Sequence, residues 1–294
     1  MSSLLKKLEA LGHGFFYAVL FVTGQGGAYF ILGPVIFTYV LFSRKIHQDT
    51  APYRQKRFPG RKGVGCWLDT FRIVYSFGKV LVDRGWLGIK HGRQFEGELI
   101  GREELLGIVK KGKGLVLLTA HVGNWQTALA HICELPAPVN SLMHYEQEAV
   151  AKHYFDLRKE PLPFKIINNE GFLGGMVEST AALQKGEVVT IMGDRLTKGP
   201  HAEVDFLGFP ARLPSAAYNL AAATGSPVAV LLAAKTGRKR YSLRVWDVFY
   251  PEKSDRDKRQ DEIVLCAKRF AGAMEKYTES YPYQWYNFFD FWKQ

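Results

Sequence analysis

The 294-residue sequence is poor in cysteine, with only Cys66, Cys133 and Cys266, and no two of them form a CxxC pair. Three widely spaced cysteines indicate neither a disulfide framework nor a structural zinc site, so we expect reduced, partly buried thiols in a cytoplasmic compartment. A GxSxG motif is also missing, which argues against a serine hydrolase, and there is no P-loop. Because the histidines other than His121 lack the compact spacing of metal ligands, the sequence predicts neither a metal site nor a cofactor.

Acidic residues are the next deficit. The chain has 39 Lys and Arg against 28 Asp and Glu, a formal net charge of +11, and 47% hydrophobic residues. This balance suggests an anionic partner, which could be nucleic acid, an anionic membrane surface or an acidic carrier protein. The basic residues cluster beside an apolar segment rather than on an aromatic platform or a recognition helix, which argues against nucleic acid.

That apolar segment covers residues 14–43 and contains no charged residue, although residues 24–27 interrupt it with a polar, glycine-rich stretch. A spanning helix needs about 20 apolar residues, so the whole run is long enough and neither half is. It is too long for a signal peptide and no cleavage site closes it. A tilted span, a re-entrant hairpin and a pair of helices buried in the core all remain open. Basic residues on both sides favour a re-entrant or interfacial element, and we predict membrane contact.

The rest of the chain predicts an α/β fold, with a central, mostly parallel sheet flanked by helices. We expect residues 1–65 to form a membrane-associating helical segment and a basic linker, in which 50–65 is a connection, and residues 66–294 to form the α/β domain. Strands are predicted at 114–120, 139–144, 164–167, 187–192, 202–207, 227–234 and 242–246. Helical structure is predicted at 66–110, 124–134, 147–159, 175–185, 214–224 and 257–279.

The stretch TAHVGNWQTAL (119–129) is the most informative one. His121 follows a buried strand, and the carboxyl edge of such a sheet is where open α/β folds bind ligands. Asn124 suits the N-cap of the next helix, and Gln126 falls in its first turn. In one continuous helix, His121 and Gln126 would point about 140° apart. A turn between them would let Gln126 reach the imidazole and fix its tautomer.

HVGNWQ resembles the H-x4-D/E signature of the lysophospholipid acyltransferase superfamily, in the form used by the bacterial lipid A secondary acyltransferase branch. VVTIMGDR (188–195), the block 204–233 and the aromatic C-terminus 281–293 resemble further blocks of that branch. The N-terminal apolar segment has a counterpart there too, so the resemblance covers nearly the whole chain. GDR in the second block points to members whose acceptors are not all lipid A.

The resemblance implies a membrane-associated acyltransferase without a cofactor. His121 would be the general base that takes a proton from a hydroxyl or amine of a lipid or glycolipid acceptor. The acceptor would then attack the thioester of an acyl carrier protein or acyl-CoA. Asn124 or backbone N–H groups would stabilise the oxyanion. Asp194 and Arg195, with Arg212 as a second cation, would bind polar parts of the substrates. The expected location is the cytoplasmic face of the inner membrane, with peripheral, re-entrant and single-pass attachment all open.

Gln126 departs from the acidic residue of the best-known members. An amide oxygen can accept the imidazole N–H, but it brings no charge to stabilise an imidazolium. The dyad is then weaker, or another carboxylate supplies the charge, with Asp194 the first candidate, or activity is lost. In the last case the protein would be an inactive membrane-bound relative that binds lipids or assembles partners.

Overall fold

A mostly parallel sheet organises the chain. The computed structural model describes residues 3–89, 95–124, 132–144, 162–170, 172–196, 199–253, 255 and 257–294. The helices are α1 Ser3–Phe42, α2 Arg44–Arg57, α3 Val64–Ile89, α4 Arg102–Val109, α5 Met176–Gln184, α6 Ala216–Thr224 and α7 Arg259–Ser280, with 3-10 turns at Phe172–Gly175 and Phe291–Lys293. The strands are β1 Glu96–Ile100, β2 Leu115–Thr119, β3 Val139–Met143, β4 Lys165–Asn168, β5 Val188–Met192, β6 His201–Phe206, β7 Phe209–Pro214, β8 Val228–Lys235 and β9 Arg240–Phe249.

The order of strands in the large sheet is β1-β9-β8-β2-β5-β3-β4, while β6 and β7 form a separate hairpin. β8 and β9 are antiparallel, and the other pairs in the large sheet are parallel. Side chains alternate along each strand, so that Leu117 joins the core on one face and Leu118 joins the core on the other. This confirms the predicted α/β class, and it places β2, the strand before His121, between β8 and β5.

The predicted strands are present, with ends that differ from the structure by at most three residues. The prediction of helical structure throughout 66–110 is wrong at β1, whose mostly exposed residues carry no apolar run because it is an edge strand. β7 was not predicted, since FPARLP contains two prolines, which sheets tolerate only at edges or strand ends. The predicted helix 147–159 lies outside the described residues, as does most of 124–134.

The predicted connection at 50–65 is wrong at its first half, because α2 continues to Arg57, and the connection to α3 is confined to residues 58–63. Ser43 caps this helix by accepting a hydrogen bond from the Ile46 N–H at 3.4 Å. Tyr53, in the middle of the segment, is buried and packs edge-on against Trp285, with 5.0 Å between ring centroids. Tertiary packing of one face therefore keeps a polar, proline-containing sequence helical.

The N-terminal apolar run forms one long helix, α1, that is broken only at Gly24, where the backbone is non-helical (φ 68°, ψ −175°). The close approaches of Leu20 to Gly85 and of Leu32 to Gly78 show that α1 runs antiparallel along α3. This arrangement differs from a helical hairpin and from a buried pair of helices. The section Phe16–Phe42, with a mean hydropathy of 1.5, is long and apolar enough to cross a membrane by length and composition.

Gly114 precedes β2, and its requirement for glycine can be tested against Gly107 in α4. Gly114 has φ +71°, and a Cβ there would lie 2.5 Å from the Leu183 carbonyl oxygen, whereas nothing lies within 4 Å of a Cβ at Gly107 in α4. We expect Gly114→Ala to lower the free energy of unfolding by about 2 kcal/mol or more, because the new methyl group meets rigid backbone. Gly107→Ala should raise it by roughly 0.5–1 kcal/mol. Urea unfolding measures both free energies. Equal changes in the two variants would contradict the claim that the chain requires glycine at the residue before β2.

Candidate functional site

The pairing of β2 with β5 determines which residues meet at the carboxyl edge of the sheet. The two strands are parallel with Thr119 opposite Met192, and the Gly193 N–H extends the ladder by donating to the Thr119 carbonyl at 2.8 Å. His121 and Asp194 each follow two residues after this pair of partners. The register therefore brings them together although 73 positions separate them in sequence.

Asp194 receives three hydrogen bonds at this edge. Its Oδ1 lies 2.8 Å from His121 Nδ1, and its Oδ2 accepts the His121 backbone N–H at 3.0 Å and the Trp285 Nε1–H at 2.9 Å. The carboxylate is 2% exposed, whereas the His121 side chain is 27% exposed. Asp194 is thus a fixed internal partner that leaves the imidazole accessible.

The ionisation of Asp194 follows from these contacts. Burial raises the pKa of this carboxyl group, but the nearby charge of His121 and the hydrogen bonds from His121 and Trp285 outweigh burial and bring the pKa down to about 2. An ionised carboxylate can only accept hydrogen bonds, so Nδ1 of His121 carries the ring proton. In the neutral ring, Nε2 is then the free acceptor, which is the state that a general base requires.

The loop that carries His121 (residues 121–124, the His121 loop) is held by a short C-terminal segment, residues 284–286. The Tyr286 N–H donates to the His121 carbonyl at 2.9 Å, and the Gly123 N–H donates to the Gln284 carbonyl at 3.1 Å. Val122 and Trp285 form an antiparallel bridge between these two hydrogen bonds. Gly123 is required there, because its φ is +51° and a Cβ would lie 2.1 Å from the Ala233 carbonyl oxygen.

Trp285 is the residue of this site that sequence reasoning missed, because C-terminal aromatics are more often core or interfacial residues. It is 1% exposed, and rings from α2, β6 and the C-terminal turn surround it edge-on, namely Tyr53, Phe206, Phe291 and Trp292. Its indole N–H nevertheless reaches Asp194. The resemblance of residues 281–293 to an acyltransferase C-terminus was the available signal.

A cleft of about 770 Å³ opens beside His121, over the carboxyl ends of the parallel strands. Its lining is mainly apolar and includes Leu117, Ile132, Leu142, Met176, Ile191 and Leu231. Two buried hydroxyl groups interrupt this lining, where Thr190 Oγ1 donates to Ser141 Oγ at 3.2 Å. The polar side chains His144, Asn169, Arg195 and Asn219 also line the cleft. An apolar chain with a polar head fits this combination of surfaces.

The remaining predicted site residues are placed differently. Arg195 lines the cleft, donates from Nη2 to the Tyr286 carbonyl at 3.1 Å, and lies over the ring of Phe289. Arg212 lies on β7 and pairs with Glu203 at 3.1 Å, and Asn124 is 2% exposed. Neither is among the described residues that line the cleft. Gln126 lies outside the described part of the chain, so its contact with His121 stays a prediction.

Sequence comparison relates this chain to known proteins. The family described as bacterial lipid A biosynthesis acyltransferase matches residues 86–294. Two similar proteins are the phosphatidylinositol mannoside acyltransferases of Mycobacterium tuberculosis strains ATCC 25618 / H37Rv and CDC 1551 / Oshkosh, each 28% identical over 139 residues. That match covers 47% of this chain and 44% of each relative, so the chain spans less than half the length of these relatives. Since the family covers the β2 and β5 strand ends, the cleft and the C-terminal segment, the chain belongs to the bacterial lipid A biosynthesis acyltransferase family.

Proposed function

We propose that this protein moves a fatty acyl group from an acyl thioester to a hydroxyl or amine group of a lipid or glycolipid, with His121 as the general base. The observation that carries the proposal is the contact of His121 Nδ1 with the buried carboxylate of Asp194, at 2.8 Å, beside the apolar cleft. The carboxylate fixes the tautomer in which Nε2 is free to accept a proton. It also stabilises the imidazolium that forms during the reaction.

The reaction balances with these groups alone. Nε2 of His121 takes the proton of the acceptor hydroxyl while the acceptor oxygen attacks the thioester carbonyl carbon. The tetrahedral intermediate collapses as its C–S bond breaks, and the imidazolium returns the proton to the departing thiolate. The products are an acyl ester, or an amide from an amine acceptor, and the free thiol of the donor. Asn124 or backbone N–H groups that follow it are the proposed donors to the oxyanion. Gln126 stays a proposed catalytic residue, but it is assigned to neither ring nitrogen of His121, because Nδ1 contacts Asp194 and Nε2 must face the acceptor.

The cleft suits both substrates. Its apolar lining would hold the acyl chain, and Arg195 at the same cleft would bind a phosphate or carboxylate oxygen of the donor or the acceptor. Arg212 stays a proposed second cation for these groups. An acyl carrier protein or acyl-CoA is the proposed donor, since both carry negative charge and this chain has a net charge of +11. A glycolipid acceptor is consistent with relatives named for phosphatidylinositol mannoside.

α1 is the proposed membrane contact, at the cytoplasmic face of the inner membrane. Its most exposed large apolar side chains are Phe21, Val22, Phe30 and Phe42, which are 72–82% exposed. α3 packs along α1 and carries Arg72, Lys79 and Arg84, and charged groups are costly in hydrocarbon. An α1 that crossed the bilayer would draw these charges in with it. We therefore propose that α1 lies in the membrane interface, with Arg44 and Lys45 at its C-terminal end.

Transfer of labelled acyl groups tests the function. Full-length protein in membranes receives a radiolabelled acyl-carrier thioester and a host lipid extract, and label in a new lipid is measured. His121→Ala should abolish transfer, because the substitution removes the proposed base. The matched control is His201→Ala, on the β6–β7 hairpin, which should leave transfer unchanged. Equal transfer by wild type and His121→Ala would contradict the role of His121 as the base. Mass spectrometry of the labelled product would identify the acceptor.

Vesicle co-sedimentation tests the membrane contact. The double variant Phe21→Ser/Phe30→Ser should bind vesicles of phosphatidylcholine and phosphatidylglycerol at least about tenfold more weakly, since each inserted phenyl ring contributes roughly 1.5–3 kcal/mol. Tyr250→Ser/Leu265→Ser is the control, because these residues are 57% and 56% exposed on other elements. Equal binding by both double variants would contradict the proposed face. Retention of the wild type after alkaline extraction would favour a span over interfacial binding.

A further inference from the structure

A second buried carboxylate, Asp83 on α3, lies outside the cleft and receives four hydrogen bonds. Oδ1 accepts from Gln25 Nε2 at 2.7 Å and from the Tyr29 hydroxyl, both on α1. Oδ2 accepts from Lys235 Nζ at 2.6 Å, at the end of β8, and from the Tyr241 hydroxyl on β9. Asp83 is fully buried. Its Oδ1 is hydrogen-bonded to α1, and its Oδ2 is hydrogen-bonded to β8 and β9 of the sheet.

The sheet side of this Asp83 cluster (Asp83, Gln25, Tyr29, Lys235 and Tyr241) continues to the His121 loop. The Lys235 N–H donates to Gln284 Oε1 at 2.7 Å, and Gln284 Nε2 donates back to the Lys235 carbonyl at 2.9 Å. The Gln284 carbonyl accepts the Gly123 N–H. One residue, Gln284, thus joins the backbone that carries Lys235 to the loop that carries His121.

A third contact ties α3 to the same segment. The Ser76 hydroxyl on α3 hydrogen-bonds the Tyr286 hydroxyl at 3.1 Å, and the Tyr286 N–H holds the His121 carbonyl. Asp83 and Ser76 are seven residues apart, two turns along α3. The helix that packs against α1 therefore contacts Tyr286 directly and is linked to Gln284 through Lys235.

The α1 side of the cluster depends on the helix break. Gly24 interrupts α1 one residue before Gln25, and a Cβ on Gly24 would be 3.8 Å from the ring of Trp86 on α3. Gln25 is 3% exposed and turned towards Asp83, whereas Val22 on the neighbouring turn is 80% exposed. The same stretch of α1 thus presents apolar side chains to the membrane and polar side chains to Asp83.

Because the Asp83 cluster is buried, its charged groups depend on the hydrogen bonds that they make with α1 and the sheet. Lys235 and Asp83 are 7% and 0% exposed, so neither charge is solvated if its partners move. Burial lowers the pKa of Lys235, and the neighbouring Asp83 carboxylate offsets part of this effect. Loss of the two α1 donors would leave Oδ1 of a buried carboxylate without partners, which the surrounding structure must relieve by moving.

We propose that Gln25, Tyr29 and Asp83 are positioning residues for the transfer reaction, which couple the seating of α1 on the domain to the geometry of the His121 loop. The coupling passes from Asp83 through Lys235 and Gln284 to Gly123. The proposal rests on the proposed function for its kinetic consequence, but the coupling itself can be measured without turnover. It means that the membrane helix is part of the support of the active site as well as an anchor.

Tyr29→Phe removes one donor to Asp83 with little change in shape, and Tyr250→Phe is the matched control at an exposed tyrosine. In full-length, membrane-bound protein, we expect Tyr29→Phe to lower kcat for acyl transfer about fivefold or more with KM for the donor unchanged. Tyr250→Phe should leave both constants unchanged. A general loss of folded protein would lower the amount of active enzyme in proportion to the loss of native signal, so kcat is expressed per native molecule.

Hydrogen–deuterium exchange gives the readout that does not depend on activity. The Gly123 and Tyr286 amides should exchange faster in Tyr29→Phe than in wild type, while β4 amides on the opposite edge of the sheet stay unchanged. Unchanged exchange at Gly123 and Tyr286 would overturn the coupling, and so would an unchanged kcat in an active preparation. If neither wild type nor variants transfer acyl groups, the proposed function fails, and the exchange data alone still decide the coupling. Asp83→Asn, if it folds, should show the larger change at both amides.

Discussion

The ionic hydrogen bond between His121 and Asp194 is the interaction on which the site depends. It exists because β2 and β5 are parallel neighbours whose ends are in register, so that each strand delivers its side chain to the same point. The carboxylate is buried and ionised, and three donors hold it in place. The carboxylate has few other positions open to it, because moving it would leave a buried negative charge without hydrogen-bond donors. The imidazole is therefore pre-organised before any substrate arrives.

The rest of the molecule supports this pair from two directions. From the C-terminus, Trp285 donates to the carboxylate while residues 284–286 hold the His121 loop through backbone hydrogen bonds. From the N-terminus, α1 packs along α3, and the buried Asp83 receives donors from both α1 and the sheet. The helix that is proposed to contact the membrane and the proposed catalytic pair thus share structural supports.

Local patterns in the sequence located His121 and Asp194 correctly at strand ends, because buried strands produce short apolar runs. The sequence could not show that β2 pairs with β5, since β3 and β4 lie between them along the chain. For this reason the sequence predicts that Asp194 binds substrate. It gives a role for Asp194 as the carboxylate that supplies negative charge to His121 only as an alternative. The aromatic C-terminus is visible in the sequence only through its resemblance to a block of the family, so the hydrogen bond from the Trp285 N–H to Asp194 could not be predicted. The helical state of α2 and the edge strand β1 were missed because long-range packing, rather than local preference, determines them.

The central claim is that Asp194 acts through His121, and a double-mutant cycle tests it most directly. Transfer rates are measured for wild type, Asp194→Asn, His121→Ala and the double variant. If the carboxylate works by orienting and stabilising the imidazole, Asp194→Asn should lower kcat about a hundredfold or more in the wild-type background and have no further effect in the His121→Ala background. Equal losses in both backgrounds would contradict the account, because Asp194 would then act independently of His121.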